Sequence, residues 1–356
     1  MKICFLATSN SIHSYKWISY FNKLGYEITW ISIDKRLYDI PKGIHYIEIQ
    51  SKYKIVTLLK AIFIMNKLSI DCVHVHYLGF YGLISLFSRA KLIATAWGSD
   101  VLINKKNFLK KILVKKVLNK AEIITCDAYH LQDVLIKLGA FRKKIKIINF
   151  GIDSKKFSKQ PIDNQLRQKL GIVESLSIVS TRGFEDIYDI QTLIKAMPII
   201  LKNVPNVQLI LVGRGTIQDT LEQLVRELKL EHAISFVGLI PNDELPNVLS
   251  NTDIYVSTSL SDAGLAASTA EAMTCEVPVV ISNSAENNKW VNDQKNGFLF
   301  PVKDYKKLAK VLIVLLQDEK LRKSIGKAGR GIIVKNNDYE NEMDKVDKLY
   351  KRLKND

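Results

Sequence analysis

Cysteine is scarce: there are four in 356 residues, Cys4, Cys72, Cys126 and Cys275, with no Cys-x-x-Cys pair. That excludes a disulfide frame and a thiolate zinc site, and predicts reduced, buried thiols of a cytoplasmic protein. Long apolar runs are missing too. The longest, Ile55–Met65, is about half of what a bilayer needs and contains Lys60. No transmembrane segment is expected, and the start, MKICFLATSN, reads as a strand and polar loop without the flanks of a signal peptide. No Gly-x-Gly-x-x-Gly follows the first strand, which argues against a dinucleotide oxidoreductase. Low-complexity tracts and short repeats are absent. Acidic residues run short in one half only. Residues 1–160 hold 27 Lys+Arg against 10 Asp+Glu, a balance of +17, whereas residues 161–356 hold 25 against 26, a balance of −1. The first half therefore favours an anionic partner: nucleic acid, an acidic membrane surface or a phosphorylated acceptor. No nucleic-acid motif accompanies the charge, and nucleic acid is not expected as a partner.

What is present is alternation. Strand-like apolar runs at Ile3–Ala7, Glu27–Ile33, Cys72–His76, Leu92–Ala96, Ile123–Cys126 and Ile145–Ile148 are separated by longer segments, the first of which, Tyr15–Leu24, has helical period. A polar break follows over Phe150–Gln165. A second alternation then runs from Ser177–Ser180 to Val277–Ile281, and 303–353 reads as helical throughout. The order predicts an α/β protein of two doubly wound, parallel-sheet, Rossmann-like domains: residues 1–160, residues 161–335, and a C-terminal helix over 336–356 returning to the first. Ligands of such sheets bind at the C-terminal ends of the strands, so the cleft between two facing domains is the expected site.

One segment concentrates the chemistry: Ser259-Leu-Ser-Asp-Ala-Gly-Leu-Ala-Ala-Ser-Thr-Ala-Glu-Ala-Met273. A strand ends, a loop of small residues follows, and a helix opens near Ser268. Gly264, Leu265 and Ala266 let a ligand approach the backbone, and the helix start offers amide N–H groups and a positive dipole end to a diphosphate. Asp262 and Glu271 would repel phosphate and instead suit sugar hydroxyls. Ser268-x-x-Glu271 is also a capping box, which would turn the Glu271 carboxylate onto its own helix.

With Pro278-Val-Val-Ile281 behind it, this segment resembles the acidic-loop motif of glycosyltransferase family 4, retaining enzymes of the two-domain GT-B fold (glycosyl transferases group 1). The family's motif has two Glu residues with seven residues between them, the second followed by Ala-Met. Glu271-Ala272-Met273 matches the second; the first falls on Ala263, with Asp262 the nearest acid. The resemblance implies that Glu271 holds the donor ribose, that Asp262 faces the donor sugar, and that Arg182, in Ser180-Thr-Arg-Gly-Phe184, neutralises the diphosphate. Asp262, Glu271 and Arg182 are thus the candidate catalytic residues. The family's Lys after that Arg is replaced by Tyr188 or Asp189, with Arg214 a candidate substitute. Gly213, Arg214 and Gly215 match the Gly-x-Gly turn beside the nucleotide. Phe236-Val-Gly238 and Pro241–Leu249 match the stretch that caps the base, Glu286 is the acid nearest the family's Gly-Gly-x-x-Glu, and Asn296-Gly-Phe298 is the turn before the last strand.

In the first half, Asp71-Cys-Val-His-Val-His76 resembles the family's Asp-x-x-His-x-His strand. Ala96-Trp-Gly-Ser-Asp100 resembles its His-Gly-x-Asp segment, with Trp97 where His is common. His13, in the first strand-to-helix loop, lies within reach of the cleft. The resemblance makes His13, His76, Trp97 and Asp100 the acceptor side, and Asn149-Phe-Gly-Ile-Asp153 with Phe157 the hinge. Lys105–Lys120 holds seven lysines, but turned at about 100° per residue its lysines and apolar residues do not separate, so it makes no clean amphipathic anchor.

The expected function is metal-independent transfer of a sugar from a UDP- or GDP-linked donor to a glycan or lipid-linked acceptor, in cell-surface polysaccharide assembly. It would need no cofactor and no metal; an Asp-x-Asp metal motif is absent. The expected location is the cytoplasm, with peripheral contact between the basic first domain and the inner face of an anionic membrane. The alternatives are a sugar-nucleotide epimerase of the same fold and a non-catalytic homologue that binds nucleotide sugar.

Overall fold

The computed structural model describes every residue except Ser99, 102–107, Ala263 and Asp356. It divides into two compact units, Met1–Gly151 with Glu340–Asp356, and Ile152–Tyr339.

The first unit is built on seven parallel strands: β1 (Lys2–Leu6), β2 (Glu27–Ser32), β3 (His45–Glu48), β4 (Cys72–His76), β5 (Lys91–Ala96), β6 (Ile123–Cys126) and β7 (Ile145–Ile147), in the order β3-β2-β1-β4-β5-β6-β7. The second has six: β8 (Leu176–Ser180), β9 (Val207–Val212), β10 (Ile234–Gly238), β11 (Ile254–Ser257), β12 (Val279–Ser282) and β13 (Phe298–Phe300), in the order β10-β9-β8-β11-β12-β13. Helices cover both faces, so the central strands are buried along their length and mostly apolar instead of alternating. In β4 all five residues are buried. The direction of winding reverses between β1 and β4 in one sheet, and between β8 and β11 in the other. At such a reversal the loops leaving two adjacent strands diverge to opposite faces and leave a crevice.

Burying His74 within β4 requires partners for both ring nitrogens. Nδ1 lies 2.5 Å from the Tyr350 hydroxyl and Nε2 lies 2.6 Å from the Thr95 hydroxyl. Tyr350 belongs to the last helix, Tyr339–Asn355, which is tied to the first unit elsewhere as well. Tyr26 donates to Asp347 at 2.6 Å, and Lys91 Nζ donates to the Leu353 carbonyl at 2.8 Å.

The division between the units falls at Gly151 and not at residue 160. Residues 152–160 lack hydrophobic period, yet Ile152 and Phe157 are buried in the second core beside Met273, Cys275 and Ile333. The Arg330 guanidinium donates to the carbonyls of Ser154, Phe157 and Thr274 and so fixes this irregular segment. Strand β3 and the helices Lys54–Lys67, Phe80–Ser85 and Tyr129–Lys137 fill stretches of the first unit that the sequence pattern left unassigned, and the helix Phe108–Lys120 lies in the lysine-rich stretch already read at helical period. The four cysteines are buried thiols. Among the described residues no helix is long and apolar enough to cross a membrane.

Candidate functional site

The reversal between β8 and β11 brings the second unit's candidate residues together. Arg182 leaves the end of β8; Asp262 lies in the loop after β11; Ser268 stands in the first turn of the helix Ala267–Thr274. Arg182 Nη2 donates to Asp262 Oδ1 at 2.6 Å, with both side chains about nine-tenths buried. Its Nη1 donates to the Ser268 hydroxyl at 3.2 Å. The guanidinium lies 4.2 Å from the centre of the Tyr188 ring, a cation–π contact. Its Nε is buried without a hydrogen-bond partner among the described residues. Ser268 also accepts from the hydroxyl of Tyr255, a fully buried residue of β11, at 2.8 Å.

The loop after β11 is anchored along its length. Thr258 Oγ1 donates to the Tyr188 carbonyl at 2.9 Å, and the Leu260 amide donates to the Ile187 carbonyl at 2.8 Å. Ser282 donates to the Ser259 carbonyl at 2.5 Å. Gly264, Leu265 and Ala266 follow, half-buried, and lead into the helix. Ala263, the strict position of the motif's first acid, lies outside the described residues.

The capping box is not formed. The helix begins at Ala267 with Ala266 as its N-cap, and no side chain bonds there. Ser268 sits inside the helix, and its hydroxyl is turned to Arg182 and Tyr255. A Ser one or two positions too late cannot accept from the amide that a capping Ser serves. Glu271 stands one turn beyond Ser268, half-buried, and so shares a helix face with it.

Gly213 and Gly215 are required by close backbone approach. A methyl group at Gly213 would stand 2.7 Å from the Arg182 carbonyl oxygen. One at Gly215 would overlap the Phe184 carbonyl and come within 2.8 Å of Glu185 Oε1. The two loops interlock through Phe184 N–H to Arg214 O at 3.0 Å and Ile217 N–H to Phe184 O at 3.1 Å. The Arg214 side chain is exposed and lies against Gly238 at the end of β10. Asp189 is the left-handed N-cap of the helix Ile190–Asn203, where it accepts from the Thr192 hydroxyl at 2.7 Å. The position of the family's second cation is thus taken by an aromatic ring under Arg182 and a capping acid. Glu286 is buried and accepts from Lys289 Nζ at 2.7 Å.

In the first unit an aromatic cluster lies at the C-terminal ends of β4 and β5. His13 is in the first turn of the helix Ile12–Lys23 and not in the loop before it. Its ring stacks on Phe150 at 4.2 Å and meets Trp97 edge-on at 5.5 Å. His76 lies 5.1 Å from Trp97 and 5.3 Å from Trp17, with Nδ1 3.4 Å from the Ser14 hydroxyl. Burial, with Lys16 nearby, lowers the His13 pKa to about 4; burial, with His13 nearby, lowers that of His76 to about 3. His76 Nε2 and Trp97 Nε1 are buried and have no hydrogen-bond partner among the described residues. Asp100 differs. It is fully buried, and its two oxygens accept from the Leu78 and Trp97 amides at 2.8 and 3.0 Å. Through these bonds it braces the loops after β4 and β5. Burial raises its pKa.

Tyr188, Tyr255, Ser268 and Phe150 were not singled out as site residues. Tyr188 has a sequence signal as the place where an expected lysine fails, Ser268 as the head of a capping box and Phe150 as part of the hinge motif; Tyr255 has none. Among the described residues no group of three or more His, Cys, Asp or Glu side chains could hold a metal ion.

Two family models match the chain: "Glycosyl transferases group 1" over residues 163–332 and "Glycosyl transferase 4-like" over residues 2–128. The chain belongs to the group 1 glycosyl transferases. This glycosyl transferase is 25% identical over 286 residues to the N-acetyl-alpha-D-glucosaminyl L-malate synthase of Bacillus anthracis, an alignment covering 78% of the chain and 74% of the relative. It is 25% identical over 252 residues to a GDP-mannose-dependent alpha-(1-6)-phosphatidylinositol monomannoside mannosyltransferase of Mycolicibacterium smegmatis, covering 67% and 64%. Among solved structures, Anabaena HepE in complex with UDP superposes with a TM-score of 0.84 at 20% identity, over 99% of this chain and 100% of that one. A Rickettsia africae glycosyltransferase gives 0.83 at 19%, over 99% and 98%. Those likenesses show the fold, GT-B with two Rossmann-like parallel-sheet domains.

Proposed function

We propose that this transferase moves a sugar, with retention of configuration, from a nucleotide-sugar donor on its second unit to a glycan or lipid-linked acceptor on its first. The observation that carries the reading is the buried Arg182 guanidinium at the β8–β11 reversal, with Asp262 and Ser268 around it. An always-charged fork suits a diphosphate. As the bond to the sugar breaks, charge on the departing nucleoside diphosphate is met by Arg182, by amides of 264–266 and by the helix start at Ala267. The reading needs no metal ion and no cofactor. Glu271 takes the ribose hydroxyls and Asp262 the donor sugar. The donor's own phosphate oxygen assists removal of the acceptor proton on the same face.

On the first unit, neutral His13 beside Trp97 and Phe150 offers an apolar wall for a sugar ring, and the unfilled His76 Nε2 and Trp97 Nε1 offer hydrogen bonds to acceptor hydroxyls. The donor class is a UDP- or GDP-sugar, the classes carried by Anabaena HepE and the mycobacterial mannosyltransferase. Cell-surface polysaccharide assembly in the cytoplasm, at an anionic membrane, is the setting that fits these acceptors and the basic first unit.

A panel of UDP-, GDP- and ADP-sugars, read by thermal shift and then by transfer, tests the reading. One class should raise the melting temperature and support transfer. Stabilisation by a donor without transfer to any acceptor would favour the non-catalytic alternative, which the substitution of Tyr188 and Trp97 keeps open. An epimer formed from the donor alone would favour the epimerase.

A further inference from the structure

The first unit carries a surface whose composition matches neither a core nor an ordinary solvated face. In the helix Lys54–Lys67 the core-facing residues are Thr57, Ala61 and Met65. At about 100° per residue, positions two earlier on a helix lie roughly opposite. Ile55, Leu59 and Phe63 occupy those positions, and they are 61%, 61% and 60% exposed. An apolar stripe therefore runs along the outer side of a 14-residue helix whose inner side is already satisfied. The helix Phe108–Lys120 lies in the same layer, because its Val114 and Val117 join Ala61 and Met65 in one core cluster. Its first turns leave Phe108, Leu109 and Ile112 exposed as well.

The charge along this part of the chain is almost all of one sign. Between residues 49 and 121 the sequence has thirteen Lys and Arg but only two acids, Asp71 and Asp100. Asp100 is buried, and Asp71 accepts from the Lys2 amide at the N-terminal end of β4. Neither belongs to a helix of this layer. Lys52, Lys54, Lys60 and Lys67 are exposed around the stripe, and Lys67 Nζ lies 4.3 Å from the centre of the Phe63 ring.

We infer that this face docks on an anionic phospholipid bilayer, with Ile55, Leu59 and Phe63 sunk at the level of the headgroups and the lysines paired with lipid phosphates. Exposed apolar side chains interleaved with bases and without acids suit a surface that is negative outside and apolar beneath. A helix of this length is too short to span and lies in the plane. A nucleic-acid backbone would take the lysines and leave the stripe in water. The inference deepens the membrane contact proposed above, and it stands independently of the sugar chemistry.

Co-sedimentation of the full chain with phosphatidylcholine vesicles, with and without phosphatidylglycerol, tests it. The wild type should pellet with the anionic vesicles, at least about tenfold more than with neutral ones, and less at high salt. The double variant Leu59→Glu/Phe63→Glu should lose this binding. Val314→Glu, at an exposed apolar site on the second unit, should keep it. Thermal stabilisation by a nucleotide sugar should be the same in all three, which separates failure of the docking surface from failure of the donor site. Absence of pelleting by the wild type, or equal pelleting by the double variant, would overturn the inference. So would light scattering that shows a wild-type dimer which the double variant turns into monomers, because a second copy would then cover the stripe.

Discussion

Arg182 and Asp262 hold each other at 2.6 Å across the β8–β11 reversal, so the group best suited to bind a diphosphate is already engaged by a carboxylate of the chain. A buried ion pair loses more when one partner is removed than the pair itself contributes. A donor phosphate must compete with Asp262 for the same fork. The two residues should therefore respond oppositely to substitution. Arg182→Ala should weaken nucleoside diphosphate binding by about tenfold to a hundredfold, the loss of one charge-assisted interaction. Asp262→Asn should strengthen it several-fold while lowering transfer. It should also lower the melting temperature of the free protein, with a larger rise on adding nucleotide. Titration calorimetry and transfer assays on both variants check the signs. Weaker nucleotide binding in Asp262→Asn would show that the carboxylate does not compete.

Glu271 stands one helical turn from Ser268 on the helix that follows the loop, and the proposed function gives its carboxylate the donor ribose. Glu271→Ala should cut turnover by more than about tenfold, at least about 1.4 kcal/mol of transition-state stabilisation. Kinetics near those of the wild type would refute the assignment.

Gly215 faces the Phe184 carbonyl with no room for a side chain. Gly215→Ala should destabilise the second unit by about 1–3 kcal/mol through forced separation of two interlocked loops. Its donor affinity should fall with it, because Arg182 stands on one of those loops. Differential scanning calorimetry, resolving the two units, locates the loss.

His13 and His76 are held neutral, with pKa values lowered to about 4 and about 3. Unfolding lets both return to about 6.5 and bind protons that the folded form refuses. Stability of the first unit should therefore fall as pH drops below about 6.5. For each histidine the slope should approach about 1.4 kcal/mol per pH unit until its folded pKa is reached. Urea melts at a series of pH values should show a shallower slope in His76→Gln. An unchanged slope would mean that His76 titrates alike in both states.

The alternation of apolar runs was sufficient for two doubly wound sheets, because a parallel strand buried on both faces is apolar along most of its length. Edge strand β3 escaped notice for the same reason: only two of its residues, Tyr46 and Ile47, are even half-buried. Residues 152–160 looked like a linker because Arg330 anchors them through backbone carbonyls, which leave no trace in side-chain pattern. The site loop after β11 was legible from its run of small residues between two acids. Asp100 was legible as a conspicuous acid but not as a brace, since a carboxylate that accepts backbone amides and one that faces a ligand are the same letter.

By itself the sequence determined the layers, the family resemblance and the excess of positive charge in one half, since these follow from local period, composition and contiguous motifs. Only the tertiary structure decided that Ser268 serves Arg182 and not its own helix, that Tyr188 lies beneath the guanidinium where a second cation was sought, and that Ile55, Leu59 and Phe63 face outward. Those outcomes depend on which strands lie side by side and which face of a helix meets the core, and both are set by contacts between residues far apart along the chain.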